Sequence, residues 1–117
     1  MLRIPFNPAT SADQTFDVLV PEKLVLNLRL VWNVRAKRWD VTVSTTNGEI
    51  GMLRLLPSYP LLREHKALSP IEGDIIALPL SGTAPSMEEY DALGKTWGLF
   101  WLSPEDVKAW EDANGLG

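Results

Sequence analysis

Alternation of apolar and polar residues is the strongest signal in this chain. Leu24, Leu26, Leu28, Leu30 and Trp32 fall at every second position, as one half-buried face of a strand requires. A polar segment, Asn33-Val34-Arg35-Ala36-Lys37-Arg38, leads into a second alternating run, Trp39, Val41 and Val43. Two such runs joined by a short polar loop predict an antiparallel hairpin with a basic tip. Asn47-Gly48 then predicts a type I′ turn, since both residues tolerate the positive φ that its central positions need. With a returning strand at 49–56, three strands near 23–33, 38–45 and 49–56 form a meander.

The pattern continues, more interrupted, through the rest of the chain. Leu2, Ile4 and Phe6 alternate ahead of Pro8 and predict an edge strand or a docked extended arm. Phe16, Val18 and Val20 share one face of a strand over 14–20, which Pro21-Glu22-Lys23 turns into the long hairpin strand. Pro57-Ser58-Tyr59-Pro60 ends the meander, because proline cannot donate to a ladder. A turn at 70–73 precedes a strand over 74–80. Ser86 as a cap, with Glu88 and Glu89 behind it, predicts one or two helical turns over 87–93, stopped by Gly94. Trp97, Leu99 and Trp101 share one face of a last strand over 95–102.

The C-terminus predicts a helix. Ser103 suits the N-cap, Pro104 the first helical position, and Glu105 and Asp106 the positive end of the helix dipole. Asn114-Gly115-Leu116 reads as a Schellman ending with Leu116 folding back. A helix of about ten residues is marginal alone. Val107 and Trp110 must therefore dock on the chain's own sheet or on a neighbouring subunit. Together these elements predict a mainly β fold: a small antiparallel β-barrel or sandwich of six to seven strands with a C-terminal α-helix.

Composition narrows the class without naming a chemistry. At 117 residues, 45% apolar and 22% charged, the chain suits one packed domain rather than a disordered segment. It has no cysteine, which removes disulfides, thiolate nucleophiles and zinc ribbons. No apolar run reaches the roughly 18 residues of a membrane span, and the N-terminus lacks the apolar core of a signal peptide. The net charge of −4 is unevenly placed. Residues 1–60 carry seven Lys/Arg against five Asp/Glu, whereas residues 61–117 carry four against ten. An acidic second half argues against general phosphate binding and suggests that opposite ends face different partners.

No catalytic constellation emerges. His65 is the single histidine, set among Arg63, Glu64 and Lys66, with no companion that would make it a general base or a ligand. The carboxylates cluster as Glu88-Glu89-Asp91 and as Glu105-Asp106-Glu111-Asp112, where helix starts and exposed helix faces favour acids. Calcium loops, phosphate loops and nucleophile elbows are absent. Arg35, Lys37 and Arg38 lie between Trp32 and Trp39, a pattern that can stack single-stranded bases, but both tryptophans continue apolar strand faces. Trp97, Trp101 and Trp110, crowded into the last 25 residues, suit either a core or a subunit interface.

Certain landmarks, taken in order, resemble a known family. They are Met1-Leu2-Arg3-Ile4-Pro5, Leu28-Arg29-Leu30-Val31-Trp32-Asn33, Arg35 and Arg38-Trp39, then Val43 and Asn47-Gly48. Leu56-Pro57-Ser58-Tyr59-Pro60-Leu61-Leu62, Asp91-Ala92-Leu93-Gly94 and Trp97-Gly98-Leu99-Phe100-Trp101-Leu102 follow. This order resembles the baseplate plug proteins of contractile-tailed bacteriophages, the cyanophage-type plug domain, over residues 1–102.

The resemblance implies a non-enzymatic virion component at the tail baseplate that closes the hub and tail-tube lumen and is assembled in the host cytoplasm. It implies baseplate hub and tail-tube or tape-measure proteins as partners, a threefold or sixfold homo-oligomer, and no cofactor, metal, membrane or nucleic acid. The chain then divides into a plug-like β domain at 1–102 and a helix and tail at 103–117. Arg35, Lys37, Arg38, Tyr59, Trp101, Val107 and Trp110 are the candidate protein-interface residues. The alternative reading is a small β-barrel binding module for peptide or single-stranded nucleic acid.

Overall fold

The computed structural model describes residues 1–8, 11–69 and 71–115. The turn expected at 70–73 and the Leu116 contact of the Schellman ending therefore extend outside the described residues. Among the described residues seven strands run in the order β1 (Leu2–Ile4), β2 (Asp13–Leu19), β3 (Val25–Asn33), β4 (Arg38–Thr45), β5 (Gly48–Arg54), β6 (Asp74–Pro79) and β7 (Trp97–Leu102). A 3₁₀ segment, Arg63–Leu68, sits between β5 and β6, and α1 (Pro104–Ala113) ends the chain. The strands form two antiparallel sheets, ordered β2-β3-β4-β5 and β1-β7-β6. Among the described residues no barrel closes; the architecture is sandwich-like.

Strand parity explains the layers. In the four-stranded sheet the even positions Leu26, Leu28 and Leu30 of β3 face inward with Trp39, Val41 and Val43 of β4, all nearly inaccessible. They meet Ile4, Ile75, Ala77, Trp97, Leu99 and Trp101 from the other sheet in one core. The odd positions of β3 turn to a polar outer face. There Arg29 donates to Asp13 at 2.8 and 3.0 Å, and Asn27 donates to Asp17 at 2.9 Å. The opposite parity of β6 and β7 buries Ile76 and Leu102 against Val107 of α1, with Leu78, Phe100 and Trp110 around them. The molecule thus has three layers: sheet, sheet, helix.

Helix α1 begins as its sequence dictates. The Ser103 hydroxyl accepts from the Asp106 N–H at 3.1 Å, and the Asp106 carboxylate accepts from the Ser103 N–H at 3.2 Å. Two orphan donors are satisfied reciprocally. Its docking on β6 and β7 answers the question left by its length: the helix packs on its own sheet.

Three local expectations need correction. The turn after β4 lies one residue early, with Thr46-Asn47 at its centre and Thr45 paired to Gly48. The Thr45 hydroxyl accepts from the Asn47 N–H at 3.0 Å, and Gly48, not Asn47, takes the positive φ of 147°. In β5 the register shifts opposite Thr42, where Met52 adopts φ 57° and donates its N–H to the Thr42 hydroxyl at 3.2 Å. That bulge leaves Met52 exposed, interrupting the returning strand that the sequence predicts over 49–56. Finally, 87–93 forms irregular turns rather than helix. Met87, Tyr90, Ala92 and Leu93 all pack toward the core, which a helix of two turns could not achieve.

Candidate interface surfaces

The basic tip is a four-residue loop, 34–37, that joins β3 to β4 across the Asn33–Arg38 pair. The Asn33 side-chain oxygen accepts from the Ala36 N–H at 3.0 Å, and Lys37 takes φ 53° to complete the reversal. Arg35 and Lys37 are exposed. Arg38 differs from them: its Nε lies 2.9 Å from Oδ1 of Asp40, itself 8% exposed, while Asn33 donates to the other carboxylate oxygen at 3.3 Å. Arg38 is thus committed to its own sheet, and the tip offers a partner two free-standing cations.

Beneath the tip the chain forms a groove of about 550 Å³, with Lys37, Arg38 and Arg54 on one bank and Pro85 and Met87 on the other. A smaller recess of about 150 Å³, lined by Tyr59, Glu64 and His65, shares Arg54 and Leu56 with it. The tip and Tyr59 therefore lie along one continuous strip, with Leu56 exposed in its middle. Arg54, Leu56 and Met87 escaped sequence reasoning because only the fold brings them beside the tip.

At the far end of the strip, Tyr59 and Trp110 meet edge to face with ring centroids 5.6 Å apart. The Arg63 guanidinium lies 5.5 Å from the centre of the Trp110 ring and pairs with Glu111 at 3.1 Å. The Tyr59 hydroxyl donates to Glu64, and this bond raises its pKa above the ordinary phenol value. Both rings remain half-exposed, so this aromatic pair has area left to offer a partner.

Two other expected interface residues belong to the interior. Trp101 is 3% exposed in the inter-sheet core, and its indole N–H is satisfied by Glu22 at 3.2 Å. Val107 is 5% exposed beneath α1. Neither has surface left to bury on another chain, so both leave the interface set. Sequence spacing showed that they were inward-facing but not which layer they faced.

The geometry also bears on the base-stacking alternative. Trp32 and Trp39 pair directly across β3 and β4, with ring centroids 5.5 Å apart, and Tyr90 packs against both. Trp39 is 2% exposed and presents no face to a base. Among the described residues, no group of three or more His, Cys, Asp and Glu side chains is placed to hold a metal ion, and no helix is long and apolar enough to cross a membrane.

Comparison with known proteins decides between these readings. The family described as cyanophage baseplate Pam3 plug gp18 matches residues 1–105, from β1 into the first turn of α1. The chain belongs to this baseplate plug family. A plug-family protein is a structural component of the phage tail baseplate, and it assembles there with other baseplate proteins. Curated proteins yield no match.

Proposed function

We propose that this protein closes the lumen of the hub and tail tube and is held there by protein–protein contacts along the Lys37–Trp110 strip. The family match over residues 1–105 carries the reading. The strip supports it: exposed cations at Arg35 and Lys37, an exposed Leu56 and the half-exposed Tyr59 and Trp110 combine steering charge with aromatic anchors. Arg38 supports the tip from below through Asp40. The partners are the baseplate hub and the tail-tube or tape-measure proteins. The protein forms a closed threefold or sixfold ring about the tail axis. It assembles in the host cytoplasm before the virion is complete. Residues 1–102 form the plug domain and 103–117 its C-terminal helix and tail, the helix bracing the domain.

Cryo-electron microscopy of the virion tail tip tests this. The expected result is density for the three-layer fold on the axis at the lower end of the tube. Density confined to the baseplate periphery overturns lumen closure while leaving family membership intact.

A further inference from the structure

Strand β2 ends its sheet, and the parity of its ladder shows which backbone groups it leaves open. The Trp32 N–H donates to the Ala12 carbonyl at 2.8 Å, and the Val20 N–H donates to the Leu24 carbonyl at 3.0 Å. In an antiparallel pair the bonded positions alternate, so the even residues of β2 bond to β3. Thr15, Asp17 and Leu19 consequently turn their N–H and C=O groups away from the sheet. Outside the strand ladders, no backbone hydrogen bond among the described residues reaches them.

That open edge faces a groove of about 720 Å³ whose far bank is β1, the terminal strand of the other sheet. Leu2, Phe6, Phe16 and Leu19 line it with Arg3 and Asp17. Leu19 is 68% exposed and Leu2 39%, so exposed apolar side chains flank the groove on both banks. We infer that the β2 edge accepts an extended segment of a partner protein as an added strand, and that this segment alternates apolar with basic residues.

The alternation follows from the side chains β2 presents. Phe16 and Val18 point into the sandwich, so every second residue of the incoming strand must be apolar. Asp13 and Asp17 point to the outer face. Asp13 already holds Arg29, whereas Asp17 is bonded to the neutral Asn27 amide and, among the described residues, has no ion-pair partner, with Arg3 on the far bank of the groove. A cation in the added strand meets it there. A second copy's β2 is disfavoured in the registers that set its Asp17 opposite Asp17 or Asp13, where like charges meet across the pair. The inference is independent of lumen closure: it concerns the partner's strand chemistry, not the position on the axis.

The test titrates the full chain with a synthetic peptide alternating valine and lysine, with the valine–glutamate peptide as control, and follows amide hydrogen exchange. The expected result is new protection at Thr15, Asp17 and Leu19 with the lysine peptide alone. Asp17→Lys should weaken binding about tenfold, equivalent to about 1.4 kcal/mol. Thr15→Pro, which removes an outward N–H without touching the β2–β3 ladder, should weaken it similarly. If circular dichroism shows that the proline variant does not fold, the exchange pattern and Asp17→Lys decide. Absence of binding at low salt, binding without protection of those amides, or equal binding of the glutamate peptide overturns the inference.

Discussion

Val107 is the buried residue through which α1 meets β6 and β7, so replacing it with alanine separates folding from assembly. The change removes two methyl-sized groups from a site 5% exposed. Lost transfer free energy is about 1.6 kcal/mol at about 0.8 kcal/mol per methylene. An unrelaxed cavity of roughly 40 Å³ adds about 1 kcal/mol. Alanine's better helix propensity returns about 0.5 kcal/mol. The net expectation is a loss of about 2 kcal/mol, a large fraction of the roughly 5–15 kcal/mol that holds a domain together. Urea unfolding, monitored by tryptophan fluorescence at several dilute protein concentrations, measures it. The midpoint should fall by the same amount at every concentration, because the contact lies within one chain. Lys108→Ala, on the exposed side of the same helix, should change stability by less than about 0.5 kcal/mol. If Val107→Ala leaves the midpoint unchanged and alters only concentration-dependent association, the helix belongs to an interface and the three-layer reading is wrong.

Other expectations follow from the same geometry. Ser103→Ala breaks the reciprocal cap of α1 and should cost about 1 kcal/mol in chemical denaturation, with Ser103→Asp retaining most of the stability. Gly73→Ala places a methyl 2.3 Å from the Trp101 ring and 2.4 Å from the Leu102 carbonyl oxygen. Ring and backbone are both held by the core, so a loss of about 2–3 kcal/mol should appear in thermal unfolding. Acid should destabilise the protein through Asp13 and Asp106. The Arg29 guanidinium holds the Asp13 carboxyl below the usual range. Burial pushes Asp106 up, but bonds from the Met1 ammonium and from Ser103 outweigh it and leave the carboxyl lowered. With folded values below the unfolded ones, both contributions are complete above the unfolded carboxylate pKa and are lost as pH falls through the folded values. Stability measured from neutral pH downward should therefore drop in that acidic window, and Asp13→Asn should flatten part of the fall.

Much of the fold was legible in the sequence because strand and helix signals are local. The period-two runs from Leu24 to Trp32 and from Trp39 to Val43 required a ribbon with one inward face, and the structure has it at those residues. Ser103, Pro104 and Asp106 predicted a capped helix start that the backbone realises. The misses share one cause. At 87–93 a local helical preference worth little yielded to burial of Tyr90, Ala92 and Leu93. At 46–48 a hydroxyl–amide bond from Thr45 selected a different two-residue turn. The interface set divided in the same way. Arg35 and Lys37 remain exposed and Tyr59 and Trp110 half-exposed, while Arg38 is engaged by Asp40, and Trp101 and Val107 are interior.

Taken alone, the sequence determined a β-rich chain with a terminal helix, no metal-binding cysteines and a plug-family order of motifs. Which inward face met which layer was a matter for tertiary structure. A strand's alternation states that one side is apolar but not whether that side meets a second sheet, a helix or another molecule. That choice depends on contacts between residues far apart in the chain: Trp101 with Glu22, Val107 with Ile76, Trp110 with Tyr59. The same long-range pairing left the β2 edge without a neighbour and drew Arg54 and Leu56 into one strip with the basic tip. Those surfaces exist only once the sheets have chosen their order.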